Sequence, residues 1–576
     1  MIRSAVVMVS LGWLMGSLRG SLRGIQPHAA RAESVPSQGA VDSRLCEWRA
    51  LLTTVCVWVV LSQVVIGQLS SAGLQRLQRA TVLIESGADR CSGVLISEAG
   101  LIATAAHGVH EDAGRLRVRL WDGRQFTAVE VVRDVAGDTA LLRLQDAADV
   151  IVLPVVAAIG QLPAGESVFA CGFPAREVIG SPAVVRAGEV RRAAGGVVRT
   201  TCQLTVGDSG GPLVSGAGSL VGLHRQIGAG LESNMHTSVE VLWRLLQRAG
   251  LQAELAAVEN AAPIDPGGAT GGLSQQDLRG LSASLPEIRV LSAAAGSDGK
   301  KLIGVVVSGT QLAVRLSAVE VEQRYGVLQA GLLRELRLQR QSEVLDLAIF
   351  ELAEAGEVAG LQPIRWRDDP AVIFERVQSL SPGDFGTGMQ LSSAGVISRV
   401  GWNEPRVRAV LGVDLEELET SAGRRLRVQQ TTPNGPAAGR LFGGDILVRV
   451  GNEQIGTREQ FGRLLDRLQP GDRFRLELQR GAELQSVGLR AGWNPGEQFE
   501  RSEFLDGRAG RVSERRTGFM GMIQHDIPVE PQVCPSLLLD WRGLPIGLTI
   551  ARRARESSLA IPAMAVQRLM SGADGN

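Results

Sequence analysis

Apolar residues along this chain come in short runs cut by glycine and proline, a spacing that predicts strands and tight turns rather than long helices. From residue 74 to 251 the runs TVLIESG, CSGVLIS, RLRVRLW, TALLRLQ and VVRAGEVRR succeed one another. That is the rhythm of an all-β barrel. Two stretches carry a helical period instead, 239–249 (VEVLWRLLQRA) and 458–468. A segment at 256–286, rich in Ala, Gly, Pro and Ser, reads as a linker. A second β-rich body follows over 287–404 and 512–570, interrupted by a compact module at 405–492.

The N-terminal end is patterned differently. Residues 5–16 form a short apolar run, and a stronger one, LLTTVCVWVVLSQVVI, covers 51–66 behind Arg44 and Arg49. It ends in Ser70-Ser71-Ala72, small residues suited to signal-peptidase cleavage. Sixteen apolar-dominated residues fall short of the ~20 a membrane span needs. The segment 51–72 is therefore expected to be an export signal, with an uncleaved membrane anchor over 51–69 as the alternative; 1–50 is an unassigned extension. Either way the rest of the chain is expected in the periplasm or secreted.

Composition narrows the picture. At 576 residues the chain is too long for one core, and about three domains are expected. Seventy glycines with only 4% aromatics favour turn-rich β structure. Sixty basic against sixty acidic side chains leave no footprint for nucleic acid or an anionic membrane surface. Cys91, Cys171, Cys202 and Cys534 match no zinc spacing, so no metal is expected. Cys171 and Cys202 could form a bridge or remain two buried thiols.

The candidate chemistry lies in the first β-rich body. Gly207-Asp208-Ser209-Gly210-Gly211-Pro212 stands between two apolar strands. Glycines there permit a tight turn that brings the N–H groups of Gly207 and Ser209 to one point, an oxyanion hole. A serine nucleophile needs a base, and Thr104-Ala105-Ala106-His107 follows a strand and its turn. It also needs a group to hold the imidazole, and Asp138 opens the apolar strand at 139–144; Asp134 is the rival. The order His107, Asp138, Ser209 is that of chymotrypsin rather than of subtilisin or the α/β-hydrolases. His110 reads as a solvated turn residue. His224 and His236 could face the substrate cleft or lie elsewhere.

On GVLIS…TAAH, GDTALLRL and TVGDSGGPLV, about 175 residues resemble the HtrA (Deg) branch of trypsin-like serine proteases. The resemblance implies a chymotrypsin-like double β-barrel over 74–251 that hydrolyses unfolded or exported polypeptides without metal or cofactor. It also implies that Val221, Gly222 and Leu223 bind the substrate backbone beside the specificity pocket, and that the chain assembles as a homo-oligomer, often a trimer in that family.

The second body repeats the first. Leu302–Ser308 lines up with Cys91–Ser97, Ser317 falls where His107 stands, and Asp346-Leu347-Ala348 matches Asp138-Thr139-Ala140. Ala394-Gly395-Val396-Ile397 resembles Ala187-Gly188-Glu189-Val190, and Cys534-Pro535-Ser536 replaces Ser209-Gly210-Gly211. Without a base, Cys534 is expected to be inert, His525 being badly placed to serve it, and this copy a pseudoprotease. The module at 405–492 resembles a PDZ domain. By that resemblance Leu411, Gly412 and Val413 capture the carboxylate of a C-terminal peptide added along a strand edge. The competing reading is a secreted peptide-binding scaffold or chaperone in which cleavage is secondary.

Overall fold

The computed structural model describes residues 69–573 except 111–114, 147–148, 156–161, 178–179, 229, 232, 256–280, 282, 292–300, 321–322, 330–331, 355–361, 383–388, 393, 422 and 495–510. Most of the expected export segment, and the linker up to residue 280, lie outside them. No helix among the described residues is long and apolar enough to cross a membrane.

Among the described residues four six-stranded barrels dominate, and all are wound alike. Counting strands along each, the hydrogen-bonded order is 1-2-3-6-5-4, and the first and fourth strands close the ring. The first barrel spans Thr81–Ser86 to Thr139–Leu144, and the second Ser167–Gly172 to Asn234–Ser238. The third runs from Glu287–Val290 to Leu347–Leu352, and the fourth from Arg376–Pro382 to Ser557–Pro562 with one extra short strand, Met389–Leu391. Apolar side chains fill each barrel, and a larger core lies between the first two. There Leu74, Ile96, Leu101, Phe169, Val214, Val239 and Leu242 come together. Each pair of barrels ends in a helix stopped by a left-handed glycine: Val239–Ala249 at Gly250 and Ala563–Ser571 at Gly572.

The module at 405–492 interrupts the fourth barrel between its second and third strands, Gly395–Trp402 and Met522–His525. It is a separate sheet, with the strand Val413–Thr420 at one edge and the helix Arg458–Arg467. The module begins and ends at one spot, because Val410 and Gly492 exchange both backbone hydrogen bonds at 2.9 and 2.8 Å.

Candidate active site

The strand Leu101–Thr104 ends in one 3-10 turn, Ala106–Gly108, which carries His107 off the barrel end. Ala105 and Ala106 are buried and small enough for the turn to lie flat. Asp138 precedes the strand Thr139–Leu144 with φ 51°, a left-handed conformation that Asp tolerates better than most residues. Its carboxylate accepts the His107 backbone N–H at 3.1 Å and lies 2.9 Å from Nδ1 through either oxygen. With Nδ1–H committed to a carboxylate, Nε2 is left to accept, and it lies 2.9 Å from Ser209 Oγ. Asp134 points elsewhere: it accepts the Gly137 N–H and pairs with Arg248 at 2.7 Å.

Ser92 holds the serine turn from behind. Its N–H donates to the Ser209 carbonyl (2.9 Å), while its hydroxyl donates to the Gly207 carbonyl (2.8 Å) and accepts from Phe173 N–H (2.9 Å). The turn's carbonyls are thus drawn toward the barrel. Among the described residues the Gly207 and Ser209 N–H groups have no acceptor, which is the state an oxyanion site requires. Glycine is obligatory here. A Cβ on Gly207 (φ 96°) would stand 2.3 Å from Phe173 O, and one on Gly210 (φ 82°) 2.1 Å from Thr104 Oγ1.

Asp208, between them, turns inward and is buried against Arg186, whose Nη1 and Nη2 lie 2.5 and 3.2 Å from its oxygens. Arg186 is fully buried. Burial acts to lower its pKa, but Asp208 outweighs that and the guanidinium keeps its proton more firmly than usual. Sequence reasoning missed this residue, although a lone arginine inside the apolar run VVRAGEV was a visible signal. It also missed Arg225, whose Nε stands 3.8 Å from Asp138 Oδ2.

The expectation for residues 221–223 is corrected, and the other candidates are placed. Val221, Gly222 and Leu223 are buried in the barrel, and Gly222 and Leu223 are paired on both edges. The cleft beside His107 and Asp138, about 620 Å³, is lined instead by Arg225 and Gln226, further along the same strand, with Arg133 and Val135 opposite. His224 and His236 do not face the cleft: both are buried, with their Nδ1 atoms 3.0 Å apart. His110 is exposed and bonds Asp89. Cys171 and Cys202 are free buried thiols, each pushed up to about 12 by burial.

Residues 91–223 match the model of the trypsin-like peptidase domain, and 409–490 that of the PDZ domain. A DegP-like periplasmic serine endoprotease of Hahella chejuensis is 23% identical over 66% of this chain and 76% of its own. The chain thus carries a trypsin-like peptidase domain and a PDZ domain, and it is similar to serine endoproteases of the DegP and HtrA kind. The periplasmic serine endoprotease DegP of Salmonella typhimurium is 27% identical over 50% of this chain and 65% of its own; the mitochondrial serine protease HTRA2 of Bos taurus is 33% identical over 23% and 30%. A solved serine endoprotease from Yersinia pestis aligns over 74% of this chain and 99% of its own at 16% identity, with a TM-score of 0.28.

The second pair of barrels repeats the frame of the site with other residues at its reactive positions. Ser317 occupies a matching 3-10 turn, and its N–H and hydroxyl both donate to Asp346, at 2.6 and 2.8 Å. Asp346 has φ 53°, the conformation of Asp138. Strand register places Leu538 opposite Gly547 as Leu213 stands opposite Gly222, which puts Cys534 at the position of Ser209. Its thiol is buried, lies 3.7 Å from the Glu530 carbonyl and is pushed up to about 12 by burial. His525 bonds Thr549 at 3.0 Å, and burial lowers it to about 3. In the PDZ module Leu411 is buried, Gly412 has φ 69°, and Val413 starts the edge strand. Helix residue Arg458 reaches that strand through the Leu415 carbonyl.

Proposed function

We propose that this chain hydrolyses peptide bonds of misfolded or exported polypeptides outside the cytoplasm, through an acyl-enzyme on Ser209. The observation that carries this reading is the chain of contacts from Asp138 through His107 to Ser209, each at 2.9 Å. His107 takes the Ser209 proton as Oγ attacks the scissile carbonyl, Asp138 orients the imidazolium, and the Gly207 and Ser209 amides receive the oxyanion. His107 then protonates the leaving amine and activates the water that frees Ser209. In this proposal the second pair of barrels is a pseudoprotease, and the PDZ module takes C-terminal peptides on its strand edge at Leu411, Gly412 and Val413.

The test is labelling of the purified chain with a fluorophosphonate, beside casein cleavage by wild type and Ser209→Ala. We expect one label, on Ser209, none on Cys534, and loss of cleavage in the variant with the fold intact. Substantial cleavage by Ser209→Ala would overturn the assignment.

A further inference from the structure

Behind the reactive turn, a second set of contacts comes from the other half of the chain. The strands Pro545–Ala554 and Ser557–Pro562 form a hairpin whose tip carries Arg555. Charged side chains at such tips are ordinarily solvated, yet Arg555 is completely buried. Its Nη2 lies 3.2 Å from Gly228 O, 2.7 Å from Gly230 O and 3.1 Å from Asn234 Oδ1. Gly228 and Gly230 belong to the loop that continues the strand Leu220–Gln226 just beyond Arg225 and Gln226, which line the cleft, and Asn234 opens the strand that follows the loop. The same loop is tied to the segment leading into Ser209: Gln203 Nε2 donates to Leu231 O at 2.9 Å, and Arg186 to Gln203 O at 3.1 Å.

Arg553 of the hairpin makes the second contact. It meets buried Glu177 at 2.8 Å, and Arg399 meets the other carboxylate oxygen at 2.7 Å. Burial acts to raise the Glu177 carboxyl, but the two guanidiniums outweigh it and hold it at about 2. Glu177 closes the turn at 173–177, where Ala175 N–H donates to Val206 O at 2.7 Å. This turn is also the surface against which Gly207 is packed.

We infer that this hairpin is an in-chain positioning element for the first pair of barrels. Arg555 sets the wall of the specificity pocket, and Arg553 with Arg399 sets the turn under Gly207. A glycine-bearing loop has few side chains with which to fix itself, and a planar guanidinium that reaches several oxygens at once can supply that order. The inference rests on the proteolytic reading above.

The test uses the full chain with Arg555→Met and Arg555→Lys. Fluorophosphonate labelling is measured, with kcat and KM on peptides that differ only in the residue before the scissile bond. We expect Arg555→Met to lower kcat/KM on preferred peptides by about tenfold, the scale of a lost pocket contact, and to flatten the ranking of side chains. The small probe should still label Ser209, and Arg555→Lys should fall between. A merely structural role would lower labelling and every peptide alike, and that result overturns the inference. So does wild-type ranking in a variant that melts cooperatively. If Arg555→Met does not fold, Arg555→Lys decides by the same ranking. A wild-type chain that neither labels nor cleaves overturns the proteolytic reading, and this inference with it. A reactive wild type with unaltered variants overturns this inference alone.

Discussion

His224 and His236 show how a residue's role depends on neighbours that sequence does not reveal. Both lie on strands that run toward the cleft, yet both point into the barrel, where Thr200 Oγ1 lies 2.8 Å from His236 Nε2. Burial lowers His236 to about 3, and it lowers His224 well below its ordinary value with help from the His236 charge. Unfolding releases histidines that titrate near 6.5. The unfolded state therefore takes up protons that the fold refuses, and stability must fall as pH drops from about 6.5 toward 3. Urea midpoints across that range should slope less steeply in His236→Gln than in wild type; equal slopes would contradict the assignment. His107, Asp138 and Ser209 were legible because each sits in a local motif whose small neighbours announce it. Arg186 and Arg225 were not, because their partners Asp208 and Asp138 reach them only across the barrels.

At the scale of elements, the strand rhythm was legible, and so was the repeat: the third and fourth barrels follow the first two strand for strand. The start of the folded domain was harder to place. Cleavage expected after Ala72 falls inside the helix Ser71–Ala80, whose cap is Ser70 Oγ, accepting Gly73 N–H at 3.2 Å. Leu69 is buried in the same core as Leu74 and Leu77. A cut there would forfeit about 1 kcal/mol of capping and about 1.5–3 kcal/mol of leucine burial. The expected mature N-terminus therefore lies upstream of Leu69. Mass spectrometry of the protein purified from cells checks this, and a chain starting at Gly73 would contradict it. The run ARRARESS at 551–558 was illegible for a different reason. It reads as a solvated charged turn, yet Arg552, Arg553, Arg555 and Glu556 are all buried, because Arg553, Arg555 and Glu556 meet partners in the other half of the chain and Arg552 bonds Glu530 and the carbonyls of its own turn.

For the whole molecule, the PDZ module is an insertion whose two ends touch. Since Val410 and Gly492 already pair, replacing 411–491 by a two-residue turn should leave the fourth barrel closed and casein cleavage close to the wild-type rate. Capture of a peptide by its C-terminal carboxylate should be lost. Activity assays beside fluorescence-polarisation binding measure both. Loss of cleavage on excision would mean that the module completes the protease rather than serving it.

The two strands on which that module is mounted do more than close a barrel. Gly395–Trp402 carries Arg399, which grips Glu177, and Met522–His525 runs straight into Asp526. The Asp526 carboxylate takes the Ala187 N–H of the first pair of barrels at 2.5 Å and the Val396 N–H of its own at 2.7 Å. Ala187 is the neighbour of Arg186, and Arg186 holds Asp208. The module is therefore fixed to a crank rather than hung on a string: its two stems lead directly to Arg399 on Glu177, two residues from the Ala175 that bonds Val206, and to Asp526 on Ala187, next to the Arg186 that holds Asp208.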